Sequence, residues 1–386
     1  MPSATLTFAA ETAPKAPQLA SARPAELTMQ SIAPAQWDGA VAAFDEVCQE
    51  QLSSFASSRW PGVVQEPVLF YRGEELVGGC LVMVQPLPLR LGAIAVTKWA
   101  PMLRDTEHPD AAAIYRGMID ALTAEYAERC GMMLSVLPRA SLGADNSDYA
   151  HLLSRGFRKG ARLLFPNRYL VNLQLTDAEH LQSFEQKWRY HLKRSERADL
   201  SFEVAGPEQF DAFNALYEQM VDRKRFPDHS AFDTVRELMM LENPLLRPEL
   251  FFVRHSGEIV AGAIIFKAGD RAVYLYGATS AEALELRAGY FLHWKIIGWL
   301  RDNTAACWYD LGGTDGFQGL HQFKKGMVGA RGLIRPVPPV ANYAARLWPR
   351  LVGETAFAGR ELLHRVNRWI DRLRPDRAKP DQHRRP

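Results

Sequence analysis

The chain has 386 residues, enough for two or three domains. Apolar residues make up 47% and charged residues 23%, which excludes a wholly disordered, collagen-like or disulfide-stapled chain. Lys and Arg number 46 against 44 Asp and Glu, a formal charge of +2, which excludes a whole-protein polycation and leaves only a local basic patch open.

Met1–Ala25 is rich in Ala, Pro, Ser and Thr and lacks both a basic start and a continuous apolar run. It reads as a disordered leader and not a secretory signal. Order is expected from Leu27. Ala33–Leu52 reads as a helix with Trp37, Val41, Phe44 and Val47–Cys48 on one face. Val68–Tyr71 and Leu76–Val84 flank Arg72-Gly73-Glu74, a hairpin signature. Ala111–Arg129 carries Ile114, Met118, Leu122 and Tyr126 at helical spacing, stopped by Gly131, and Met132–Leu137 follows as a buried strand. The same order then recurs: Leu250–Arg254 and Glu258–Lys267 around His255-Ser256-Gly257, a strand at Arg271–Thr279, a long helix at Ala283–Asn303 and a short strand at Cys307–Leu311.

Gly73-Glu74-Glu75-Leu76-Val77-Gly78-Gly79 and Gly257-Glu258-Ile259-Val260-Ala261-Gly262 repeat turn, acid, apolar pair and small residues at an offset of 184. We read this as a duplicated unit; chance likeness of two hairpins is the alternative. Hairpins followed by a helix–strand pair predict an α/β fold with mixed sheets, in which a GNAT-like acyltransferase architecture is allowed but not selected. The expected layout is a first domain over 26–165, a second over 166–339, a C-terminal helix over 340–373 and a basic disordered tail over 374–386. Cys48, Cys80, Cys130 and Cys307 form no CxxC pair, and Cys80 and Cys130 are expected to be buried. No apolar run reaches membrane-spanning length, so a cytoplasmic protein is expected.

The segment 274–332 reads Tyr274-Leu275-Tyr276-Gly277-Ala278-Thr279, then a helix with His293-Trp294, then Tyr309-Asp310-Leu311-Gly312-Gly313, then Gly319-Leu320-His321-Gln322-Phe323-Lys324-Lys325-Gly326. In order and spacing it resembles the FemABX family of tRNA-dependent peptidyltransferases, which build the interpeptide bridges of peptidoglycan. Trp188–Ser195 and Met220–Phe226 also look like that family. Arg225 stands where the family has Gly, and Met327-Val328 replaces its Phe-Gly. The resemblance implies tandem GNAT-like domains, no resident cofactor, aminoacyl-tRNA as co-substrate and a nucleotide- or lipid-linked peptidoglycan precursor as acceptor.

It also implies roles. Lys324 would be the cation that steadies charge on the reacting ester; taken alone, Lys324 and Lys325 read as solvent-facing lysines. Asp310 would accept the amine's proton or cap the Gly312-Gly313 turn. Arg223 would hold acceptor phosphates through its planar fork, or be part of a charged helix end. Tyr276 would place a hydroxyl in the acceptor cleft, or be a half-buried strand tyrosine. Lys187, Arg189, His191, Lys193, Arg194 and Arg197 make a basic helix suited to phosphate or to solvent. The Arg-rich C-terminal helix would rest on the second domain or touch an anionic membrane surface. No metal site, Walker loop or GxSxG elbow is present in the sequence.

Two functions stay open: aminoacyl transfer from tRNA to an amine, or acyl-CoA-dependent N-acylation. Arg287-Ala288-Gly289 supplies only the first glycine of a pyrophosphate loop, which weakens the second.

Overall fold

The computed structural model describes residues 27–224, 232–314 and 316–359. The first unit runs β1 (Thr28–Ser31), α1 (Pro34–Val41), α2 (Ser53–Arg59), β2 (Val64–Arg72), β3 (Glu75–Pro86), β4 (Ala93–Lys98), the short β5 (Met102–Leu103), α3 (Ala111–Leu122), β6 (Met133–Leu137), α4 (Ser147–Ser154) and β7 (Arg158–Lys159). The second runs β8 (Asn167–Asn172), α5 (Asp177–Ser183), α6 (Gln186–Ser195), β9 (Leu200–Ala205), α7 (Phe210–Lys224), α8 (Val235–Met239), β10 (Glu249–His255), β11 (Glu258–Phe266) and β12 (Arg271–Thr279). It continues through α9 (Ala281–Leu286), α10 (Ala288–Asn303), β13 (Trp308–Asp310), α11 (Gln318–Val328), β14 (Leu333–Pro336) and β15 (Ala341–Tyr343).

The duplication is visible in strand order. One sheet is ordered β1-β2-β3-β4-β6-β15-β7 and the other β9-β10-β11-β12-β13-β8-β14. Among the described residues each has a single parallel pair, β4 with β6 and β12 with β13, among antiparallel neighbours. The turns that carry the repeated sequence both need glycine, since Gly73 has φ +62° and Gly257 φ +87°. This is the mixed-sheet α/β architecture expected from the sequence.

Counted by the repeat, β8 is the strand that follows β7 and so the first unit's counterpart of β15, and on that count the two units exchange strands. β8 follows β7 in the chain but lies between β13 and β14, whereas β15 follows β14 but lies between β6 and β7. Each sheet is therefore completed by the other unit's connection. A shared core reinforces this: Trp37, Phe44, Leu52, Leu69 and Leu81 of the first unit pack with Leu238, Leu246, Phe266 and Val273 of the second. Arg139 spans the seam, 3.3 Å from Glu46 and 3.1 Å from Asp270. Gly269, at φ +79°, approaches so closely that a Cβ there would stand 2.5 Å from the Asp45 carbonyl oxygen.

Four local expectations are corrected. The helix expected over Ala33–Leu52 ends at Val41. Beyond it, the Asp45 and Glu46 N–H groups donate to the Arg104 and Leu103 carbonyls, which holds a turn that seats Glu46 against Arg139. The helix expected over Ala283–Asn303 is two helices broken at Arg287, whose left-handed φ of 58° cannot continue a right-handed turn. Cys130 is exposed, unlike the buried Cys80; a π-helical turn over Thr123–Arg129 widens the end of the preceding helix and carries it outward. Ala341–Tyr343, expected within the terminal helix, is strand β15, and helix begins only at residue 347. The expected leader, the basic tail, residues 360–373 and the Arg225–Phe226 pair lie outside the described residues.

Candidate active site

β12 and β13 pair over three residues only, Arg271–Val273 against Trp308–Asp310. β12 then runs on to Thr279 while β13 stops and the chain turns away through Gly312, at φ +73°. A gap opens in the sheet beyond Val273 and Asp310. The equivalent pair in the first unit stays matched from Ile94 to Lys98 against Met133 to Leu137, so of the two parallel pairs the second unit's is the open one.

Four of the residues singled out from the sequence meet here. α11 presents Lys324, only 5% exposed, beneath the turn after β13, where its ammonium donates to the Leu311 and Gly313 carbonyls. Gly312 and Gly313 form that turn. The Gly312 N–H donates to Asp310 Oδ1 at 2.9 Å, so Asp310 does cap the glycines. It does more: Arg168 grips both its oxygens, with Nε at 3.1 and 3.0 Å and Nη2 at 2.9 Å. Arg168 comes from the exchanged strand β8, and its guanidinium lies 5.7 Å from the ring centre of Trp99 in the first unit. The turn that carries the candidate chemistry is thus tied to both units.

Tyr274 and not Tyr276 stands by Lys324, with the ammonium 5.7 Å from its ring centre. Strict alternation would put both tyrosines on one face. The ladder slips between Ile264 and Ile265, which oppose Tyr276 and Tyr274, leaving Leu275 as a bulge. Tyr274 therefore packs with His293 on the α10 face and Tyr276 with Tyr217 and Phe232 on the α7 face. The bulge also explains Gly277, where a Cβ would stand 1.7 Å from the Tyr274 hydroxyl.

Arg223 lies near Tyr276's end of the strand, donating to the Thr279 carbonyl at 2.6 Å, so these two form a second cluster on the α7 face. Arg189 and Lys325 join neither group. Arg189 caps the end of α5, donating to the carbonyls of Leu181, Gln182 and Phe184. Lys325 pairs with Glu185 at 3.3 Å on the surface. Gly326, next in the motif, is packing: its Cβ would sit 3.2 Å from Trp188.

His293 lies beneath the site, 3.0 Å from the Tyr309 hydroxyl. Burial, helped by the Lys324 charge, pushes its pKa down to about 3. Burial likewise lowers His180 to about 4. Both imidazoles are neutral in the fold and take up protons when it unfolds, so stability present above the unfolded pKa near 6.5 falls as the pH drops towards the folded values. Each should cost about 2 kcal/mol at about pH 5. A His293→Gln variant should therefore lose less of its melting temperature between neutral pH and pH 5 than the parent, and parallel curves would contradict the assignment.

Residues 182–325 match the acetyltransferase (GNAT) domain family. FemX aligns over 82% of this chain and 97% of its own, with a TM-score of 0.66 at 16% identity. Residues 182–325 thus form a GNAT-type acyltransferase domain. The resemblance to the FemABX family holds at the level of this tandem fold. The acyltransferase is also similar to the C-terminal domain of a putative lysylphosphatidylglycerol synthetase from Agrobacterium fabrum, at 16% identity and TM-score 0.52 over 84% of this chain and 97% of that one. A protein of unknown function from Bacteroides thetaiotaomicron follows, at 13% identity and TM-score 0.51 over 82% and 98%. No curated protein matches the acyltransferase by sequence. Among its described residues no helix is long and apolar enough to cross a membrane.

Proposed function

We propose that the acyltransferase moves an aminoacyl group from aminoacyl-tRNA to an amine, with a peptidoglycan precursor as the acceptor that the FemABX resemblance implies. The observation that carries the donor class is the segment between β12 and α10. Coenzyme A users of this fold need free backbone N–H groups in a glycine-rich loop at that helix start. Here helix α9 fills the segment, and a single left-handed residue, Arg287, separates it from α10.

What surrounds that junction suits a longer polyanion. Arg287, Lys187 and Arg194 all depress the His191 pKa, after the larger effect of burial. Tyr290 packs against His191, with ring centres 4.9 Å apart, and Tyr190 is 63% exposed beside it. Cations interleaved with aromatic faces match a phosphate backbone and its bases. The name of the Agrobacterium neighbour, a lysyl-lipid synthetase, agrees with an aminoacyl donor.

In the reaction a neutral amine nitrogen attacks the ester carbonyl, a C–N bond forms, and the bond to the 3′-oxygen of the terminal ribose breaks. Negative charge builds first on the carbonyl oxygen and then on the departing oxygen, and the proton lost by the amine ends on that oxygen, which leaves as the ribose hydroxyl. Lys324 supplies a fixed positive charge behind the Gly312–Gly313 turn, preorganised by its two carbonyl bonds. Asp310, locked to Arg168 and Gly312, orients that turn and is a positioning residue.

The test offers the purified chain labelled aminoacyl-tRNAs and acyl-CoAs with a muramyl pentapeptide nucleotide. Transfer from aminoacyl-tRNA alone is the expected result. Calorimetric binding of acetyl-CoA without binding of charged tRNA would hand the site to coenzyme A-dependent N-acylation, the reading that the GNAT family match favours.

A further inference from the structure

The connection from β7 to β8 crosses between the units and forms the rim of the gap. Its side chains are the opposite of what a solvated loop uses. Leu163, Leu164 and Phe165 are 39%, 71% and 40% exposed, and Phe317, just past the glycine turn, is 57% exposed. Phe165 lies against Gly316, where a Cβ would stand 2.8 Å from its ring, and its carbonyl approaches Gly313. The apolar rim is therefore continuous with the turn above Lys324. Apolar side chains grouped this way beside a site are a binding surface more often than an accident of folding.

Charge says what they bind. Arg158, Lys159 and Arg162 are exposed in the same segment. No ion pair engages any of them among the described residues. The sequence holds no acidic residue between Asp148 and Asp177, and of its other arginines there Arg155 is paired with Asp120 and Arg168 with Asp310, which leaves the charge of the rim to these three. Unpaired cations flanking exposed leucine and phenylalanine are complementary to anionic headgroups over acyl chains.

We propose that this rim is a docking surface for an anionic lipid bilayer, setting the gap of the second unit at the membrane–water boundary. The cations approach the headgroups, and Leu163, Leu164, Phe165 and Phe317 enter the interfacial layer. The proposal is independent of the donor, because docking needs neither donor nor acceptor.

The experiment is co-sedimentation of the full chain with phosphatidylcholine vesicles, with and without phosphatidylglycerol. Binding is expected only with the anionic lipid, and should weaken as salt rises. Removing cations with Arg158→Ala, Lys159→Ala and Arg162→Ala should weaken it about fivefold each. A Leu164→Ser/Phe317→Ser variant should weaken it at all salt concentrations, with melting curves confirming that the variants are folded. Failure to bind anionic vesicles overturns the proposal. So does binding that survives in all rim variants but is lost on Trp348→Ser, which would move the membrane face to residues 347–359, where Leu347 and Trp348 are each 59% exposed. A dimer by ultracentrifugation that dissociates in the rim variants would overturn it too, by making the rim a contact between two copies. Acyl transfer is not measured in any arm, so a failed donor assignment and a failed docking surface are read separately.

Discussion

Replacing Lys324 by methionine should slow acyl transfer by at least about a hundredfold while leaving acceptor affinity within a few-fold. The reason is where the ammonium sits. It is nearly buried, so its field is screened far less than that of a surface lysine. It is also fixed by the Leu311 and Gly313 carbonyls, so no reorganisation is needed as charge develops in the gap. Methionine keeps the length and removes the charge. It also leaves two carbonyls without their donor, which costs about 1–3 kcal/mol each where water cannot replace it. The rate must therefore be measured well below the melting temperature of the variant, with kcat and KM separated. A variant that transfers at the parent rate removes the lysine from the mechanism.

The second large effect is expected at Arg168, which the sequence reading did not single out. Arg168→Ala should destabilise the fold by about 3 kcal/mol, because Asp310 retains 9% side-chain exposure and would be left without its cation. Pairing Arg168→Ala with Asp310→Asn should recover most of that loss, since the amide oxygen can still accept the Gly312 N–H and no buried charge remains. The pair should also reduce kcat more than it raises KM if Asp310 acts by holding the turn. A double variant no more stable than Arg168→Ala would show that packing against Trp99, and not the ion pair, is what Arg168 contributes.

Lys324, Asp310, Gly312 and Gly313 were legible because they lie within one strand, turn and helix, and short chain separation limits how far apart they can fold. Arg168 was not, since 142 residues separate it from Asp310 and only the exchanged strand β8 brings them together. Tyr276 shows a different limit. Alternation along β12 is a sound rule for a regular strand, but the bulge opposite Ile264 and Ile265 depends on how β11 and β12 match. It moves Tyr276 to the α7 face and leaves Tyr274 at the site. Arg189 had the composition of a phosphate ligand, yet nearby helix-end carbonyls take up its guanidinium.

By itself the sequence determined the paired hairpins, their repetition and the compact group around the glycine turn, because hydrophobic period and turn chemistry act over a few residues. The tertiary structure alone decided that each unit's sheet is finished by a strand from the other, which parallel pair stands open, and which side chains share its rim. Those outcomes follow from pairing between distant segments, where a one-residue slip or a crossing connection changes every face and leaves no mark in the local pattern.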